Sequence, residues 1–283
     1  MSISSSAVLV RLSISTWTAR KIDKEQSESV SVTTGADAKA GKYIKDLMVG
    51  SHYVSDLNKY AGQCRLVYNE TTLPWDDMGD RLLPTSMLLD FKKDFNGKRD
   101  GFFRMRDYIC NNYDALKRVS ANYLGAMANP NDYPTVDEVF SKYSWKLTMK
   151  TVPESGHLYL DLPAQDLNEM RQALEQENAD KTKNAMKTAW HKMHDMLTGM
   201  SSKLQEADGD AKKRFYDSFV TNPRELCSLL GHLNVTGDPE LDRARVMLER
   251  AMQGADIDII KESPAVREDM KTKVDSILKQ FDW

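Results

Sequence analysis

Asp76, Asp77 and Asp80 crowd one short stretch of the chain, with Arg81 beside them. Paired carboxylates can work as general acid and base or hold magnesium. The same stretch carries Pro74, Trp75, Gly79 and Pro84, residue types that build a shaped, rigid loop. The expectation is a structural loop defined by Pro74, Trp75, Gly79, Arg81 and Pro84, with aspartates that cap helices or pair with Arg81. A catalytic reading needs a converging base or ligand, which spacing alone does not supply. His191 and His194 stand three residues apart, on one face of a helix, a spacing that can ligate zinc. No nearby Cys, His or Glu completes a recognised ligand spacing, so they read as surface or partly buried polar residues. His52, His157 and His232 are isolated along the chain.

The segment from Phe91 to Arg106 interleaves cations with phenylalanines. Lys92, Lys93, Lys98, Arg99, Arg104 and Arg106 could hold phosphates while Phe102 and its neighbours stack on unpaired bases. At helical spacing the same phenylalanines suit a core and the cations a solvated face, and Asp94 and Asp100 dilute the charge. The candidate nucleic-acid set is Lys92, Lys93, Lys98, Arg99, Phe102, Arg104 and Arg106, and both readings stand at this point. The sequence has no Gly-x-Ser-x-Gly elbow, Walker lysine loop or Cys/His pairing. The expectation is a protein that is not an enzyme, with no catalytic residue, metal or cofactor.

Helices must position these residues. Val8, Val10, Leu12 and Ile14 alternate as in a strand. A first helix is expected from Trp17 to about Val30, and a second carries Tyr43, Leu47, Val54, Leu57, Ala61, Cys64 and Tyr68 on one face. The 73–84 loop ends it. A third helical region starts near Ser86 and resumes after Asn96-Gly97. Thr135 to Glu138 forms a capping-box pattern. Trp145, Leu147, Met149 and Thr151 alternate, a turn follows at 153–156, and Leu158, Leu160 and Leu162 alternate again, which reads as one inserted β-hairpin. The longest helical pattern runs from Pro163 to about Leu204 with apolar residues at threes and fours. Asp208-Gly209-Asp210 breaks it before a return helix from Ala211 to about Leu233, with shorter helices near 239–253 and 264–281. The fold class expected is mainly α, elongated antiparallel coiled-coil-like helices with one β-hairpin, divided as 1–143, 144–162 and 163–283 or folded as one continuous domain.

The 283 residues, 41% hydrophobic and 29% charged, are enough for a sizeable core. A net charge of −3 gives no global attraction to phosphate. Cys64, Cys110 and Cys227 are far apart, which suits a reducing compartment. The apolar run Ala7 to Val10 is too short for a signal segment, and no window suits a membrane span.

The run Ser15 to Lys21, the motif Thr72-Leu73-Pro74-Trp75 with Gly79 to Pro84, then Tyr133-Pro134 and the hairpin, resemble a family of uncharacterised proteins of tailed phages and integrative elements. The likeness spans most of the chain. It implies a bacterial host cytoplasm and a place among genes of DNA metabolism or beside an AAA+ ATPase, and it carries over no catalytic residue. The expected function is a helical interaction or assembly protein, a homo-oligomer accessory to DNA metabolism or to a partner ATPase, with no membrane partner. The alternatives are single-stranded DNA binding through 91–106, or a metal-dependent enzyme at the 76–80 aspartates.

Overall fold

The computed structural model describes residues 3–158, 161–205 and 215–283. The chain is mainly helical, with a four-stranded sheet and a two-stranded ribbon. Its elements in order are α1 (Ile3–Ser6), β1 (Ala7–Ser15), β2 (Arg20–Ile22), α2 (Lys24–Thr34), β3 (Ile44–Asp46), α3 (Tyr53–Thr71), β4 (Leu73–Pro74), β5 (Arg81–Pro84), α4 (Leu88–Asn111), α5 (Tyr113–Leu124) and α6 (Val136–Ser141). There follow β6 (Ser144–Thr151), α7 (Ala164–Gln205), α8 (Ser218–Leu233), α9 (Pro239–Ala251), α10 (Ile257–Glu262) and α11 (Pro264–Gln280). Two compact units share them. Unit 1 is Met1–Arg11, Asn69–Leu89 and Thr148–Trp283, and unit 2 is Leu12–Tyr68 and Asp90–Leu147. The division is interleaved, unlike the contiguous one expected at 143 and 163. The chain passes from one unit to the other inside β1, α3, α4 and β6.

In unit 1, α7 buries Ala185, Ala189, Met193, Leu197, Met200 and Leu204 on one stripe. Helices α8 and α11 pack against α7, and both also pack on α9. This is bundle packing over the C-terminal half of α7, and a coiled coil along its length is not shown. Before Ala185, α7 has no buried residue among those described. Unit 2 has its own core, in which Trp17, Leu57, Phe102, Ile109, Tyr113 and Tyr143 meet.

Several local expectations are corrected. Residues 17–23 are not helical, since β2 pairs with β3 through Ile22 opposite Ile44, and the helix starts at Lys24 with Asp23 as its cap. Ala19 turns the chain just before, at φ 55°. The second helix starts at Tyr53, ten residues later than the apolar spacing suggested. Helix α4 runs unbroken through Asn96-Gly97. The capping box at Thr135 and Glu138 is present.

Among the described residues the expected inserted hairpin is not formed. Strand β6 takes a place in the sheet order β4-β5-β1-β6, and Leu158 and Leu162 are not in strands. Leu160 lies outside the described residues, as do Asp208 to Asp210 and the expected start of the return helix at Ala211. Alternation identified a strand but not its partner. β1, far back in the chain, supplies the partner edge, so no second strand is needed after the turn.

Candidate nucleic-acid interface

Helix α4 is amphipathic in the plain sense. Phe91, Phe95, Phe102 and Ile109 fall on its buried face, and Lys92, Lys93, Arg99 and Arg104 are exposed. At 1.5 Å per residue those four cations span about 18 Å along the helix, with Lys92 and Arg99 on one flank and Lys93 and Arg104 turned about 100° from them. Phe91 and Phe95 stack with centroids 4.3 Å apart, and Phe102 is 0% exposed. A base could reach Phe102 only by opening the unit 2 core, so that residue of the candidate set is a packing residue.

The cations differ in their company. Lys98 Nζ donates to Asp94 at 3.0 Å, and Arg99 donates to its neighbour Asp100 at 3.0 to 3.1 Å. The Arg106 guanidinium lies over the Phe103 and Phe140 rings at 4.4 and 4.0 Å and pairs with Asp107, which removes it from the exposed row. Lys92, Lys93 and Arg104 make no ion pair with any described residue.

Arg104 also lines an open pocket of about 460 Å³, together with Tyr53, Tyr60, Gly101, Met105 and Tyr108. The Tyr53 and Tyr108 rings stand 4.5 Å apart, tilted by 42°, and His52 lies 4.3 Å from Tyr53. The Tyr108 hydroxyl donates to that of Tyr53 at 3.0 Å, which pushes the Tyr108 phenol above its ordinary range. Tyr60 donates to the Lys98 carbonyl at 3.1 Å, across α4. A Cβ on Gly101 would sit 2.7 Å from the Tyr60 hydroxyl, so the glycine is what lets Tyr60 lie close against α4. Sequence reading missed these tyrosines. Tyr53 and Tyr60 come from α3, and only the pairing of two helices brings them beside Arg104.

The 73–84 stretch is a small hairpin, with Leu73 opposite Leu82 and Pro74 opposite Arg81. Gly79, at φ 96°, makes its turn. Asp76 Oδ1 accepts from the backbone N–H groups of Met78 and Asp80, Asp77 is exposed, and Asp80 is buried. Asp80 accepts from Arg11 Nε at 2.6 Å and Lys150 Nζ at 2.9 Å, on either side of the hairpin in sequence. Burial pushes the Asp80 carboxyl up, and the bonds from Arg11 and Lys150 bring it below its ordinary value. Arg81 donates to the Thr72 hydroxyl and to the Asn69 and Thr72 carbonyls. Trp75 is buried in the unit 1 core and Pro84 ends β5. Asp76 and Asp80 thus do different structural work, and Asp77 faces solvent. The structure does not bring them together around a common point.

His191 is exposed, while His194 faces the Trp283 ring at 5.3 Å. Among the described residues no three of His, Cys, Asp and Glu converge as metal ligands. The three cysteines are free thiols; burial pushes Cys64 up and Cys227 up to about 11. No described helix is long and apolar enough to cross a membrane. The chain matches no protein-family model, no curated protein and no solved structure.

Proposed function

We propose that the protein binds single-stranded nucleic acid through unit 2, as a non-enzymatic accessory of nucleic-acid metabolism. The observation that carries the reading is the tyrosine pocket lined by Arg104, on a helix that also exposes Lys92, Lys93 and Arg99. Aromatic rings stack on any base, and Lys92, Lys93, Arg99 and Arg104 offer charge to phosphates. Unit 2 has more Lys and Arg than Asp and Glu, whereas unit 1 has the reverse, so the net charge of −3 masks a basic half. The readers of bases in this proposal are Tyr53, Tyr60 and Tyr108 in place of the buried Phe102.

Fluorescence anisotropy with labelled oligothymidine and with a duplex of equal length tests it. Four phosphate contacts give log K a slope of about −3 against log salt. Arg104→Ala lowers that slope by about 0.7. Tyr108→Ala weakens single-strand binding about tenfold, within the range of one lost base stack. The single strand is held more tightly than the duplex. Absence of binding at low salt, or binding indifferent to both substitutions, would end this reading.

A second reading rests on the first half of α7. Leu167, Met170 and Leu174, spaced by three and four, lie there without being buried, with Met170 44% exposed. Such a stripe suits self-association with a second copy. Light scattering on the same samples decides it: a dimer that Leu174→Lys dissociates supports the reading, and a monomer at high micromolar concentration refutes it.

A further inference from the structure

Helices α7 and α8 of unit 1 enclose a groove of about 660 Å³. The apolar part of its wall is Met196 and Met200 from α7 and Phe219, Pro223, Leu226 and Leu229 from α8. Lys192 lines the same groove half-buried, and its ammonium makes no hydrogen bond or ion pair with any described residue. An ammonium partly removed from water beside hydrocarbon, without a directly bonded counter-charge, is costly. Burial accordingly pushes Lys192 below its ordinary value, while Glu70 pulls it up and Arg81 pushes it down.

We propose that this groove binds a small monocarboxylate with an apolar body, its carboxylate on Lys192 and its hydrocarbon against the methionines and Phe219. The other charged groups of the groove set the charge that the ligand can carry. Lys203 adds a second cation, but Glu70, Asp195 and Glu225 are exposed carboxylates around it. They repel a polyanion such as a nucleotide and tolerate a single negative charge paired to Lys192. The methionines, with three rotatable bonds each, adapt to the shape of an aliphatic chain. Between them, α7 has Gly199, and a Cβ there would meet nothing within 4 Å, so the groove stays open at that point.

Isothermal titration with octanoate and with its neutral analogue octanamide tests the site in the full-length protein. Octanoate binds at least tenfold more tightly than octanamide, and Lys192→Met removes that preference. Gly199→Leu fills the groove, improves the helix propensity of α7 and abolishes binding of both probes while the thermal midpoint holds or rises. Equal affinity for acid and amide, an undiminished preference in Lys192→Met, or no binding of either probe would overturn the proposal. Circular dichroism of both variants confirms that the loss is not one of folding. The site lies in unit 1, so its failure leaves the nucleic-acid reading of unit 2 standing, and the reverse also holds.

Discussion

Lys45 is only 6% exposed, yet it stays charged because unit 2 surrounds it with oxygens. Its ammonium donates to Asp23 Oδ2 at 2.9 Å and to the Met127 carbonyl at 3.2 Å, and it pairs with Asp132, which Lys21 also holds. The bond to Asp132 raises the Lys45 value, and those from Lys21 and Lys45 lower that of Asp132. Lys45→Met leaves two nearly buried carboxylates without this cation and costs about 3 kcal/mol, measured by urea unfolding. Asp80 gives a pH signature in unit 1. Its folded value lies below its ordinary one, so its contribution is complete at neutral pH and is lost as pH falls through the folded value, below about 4. Asp80→Asn, at a cost of about 2 kcal/mol, lowers the thermal midpoint at pH 7, and the difference shrinks as the pH falls through the folded value. A gap that stays constant as the pH falls well below about 4 would mean that charge is not what Asp80 supplies. Neither network was legible in the sequence. The aspartate cluster was visible, but Arg81 was the expected partner, and the actual partners Arg11 and Lys150 stand about seventy positions away on either side. Charge pairing of that range depends on the sheet and not on spacing.

At the scale of elements, the long helices were readable because their apolar residues recur at threes and fours, and the buried positions of α3 and α7 follow that spacing. The capping box was readable because both of its bonds are local. Strand pairing was not, since β6 alternates in the same way whichever edge it joins. The break expected at Asn96-Gly97 failed for a physical reason: Phe91, Phe95 and Phe102 are all buried, and that packing outweighs the weak propensity of one glycine. The two glycines of α4 therefore differ. A Cβ on Gly97 meets nothing within 4 Å, whereas one on Gly101 meets Tyr60. Gly97→Ala stabilises the protein by about 1 kcal/mol in urea unfolding. Gly101→Ala yields less than half of that because Tyr60 must move, and it disturbs the tyrosine pocket. Equal gains from the two would show that Tyr60 gives way freely.

For the whole molecule, the interleaved units were not legible because the passages between them lie within regular elements, and even the polar run Asn69 to Thr72 at one passage falls at the end of a helix and not in a linker. The same interleaving hid the charge pattern, because the basic excess of unit 2 is gathered from two separated stretches of chain. A protein of net charge −3 that binds nucleic acid must do so through local charge, and this separates two physical pictures. If a global field mattered, bringing the net charge to zero would strengthen binding as much as removing cations weakens it. At 0.15 M salt the screening length is about 8 Å, so charges beyond that distance from the phosphates contribute little. Asp77, Glu262 and Asp282 are exposed residues of unit 1. The triple variant Asp77→Asn, Glu262→Gln and Asp282→Asn cancels the whole net charge and leaves every α4 cation in place, so with local contacts as the source of affinity it changes oligothymidine binding less than twofold at that salt. Lys92→Ala with Lys93→Ala makes the chain more acidic by two charges and lowers affinity about tenfold, with a slope shallower by about 1.4. A triple variant that binds tenfold more tightly would replace the local contacts of α4 with a long-range field as the source of affinity.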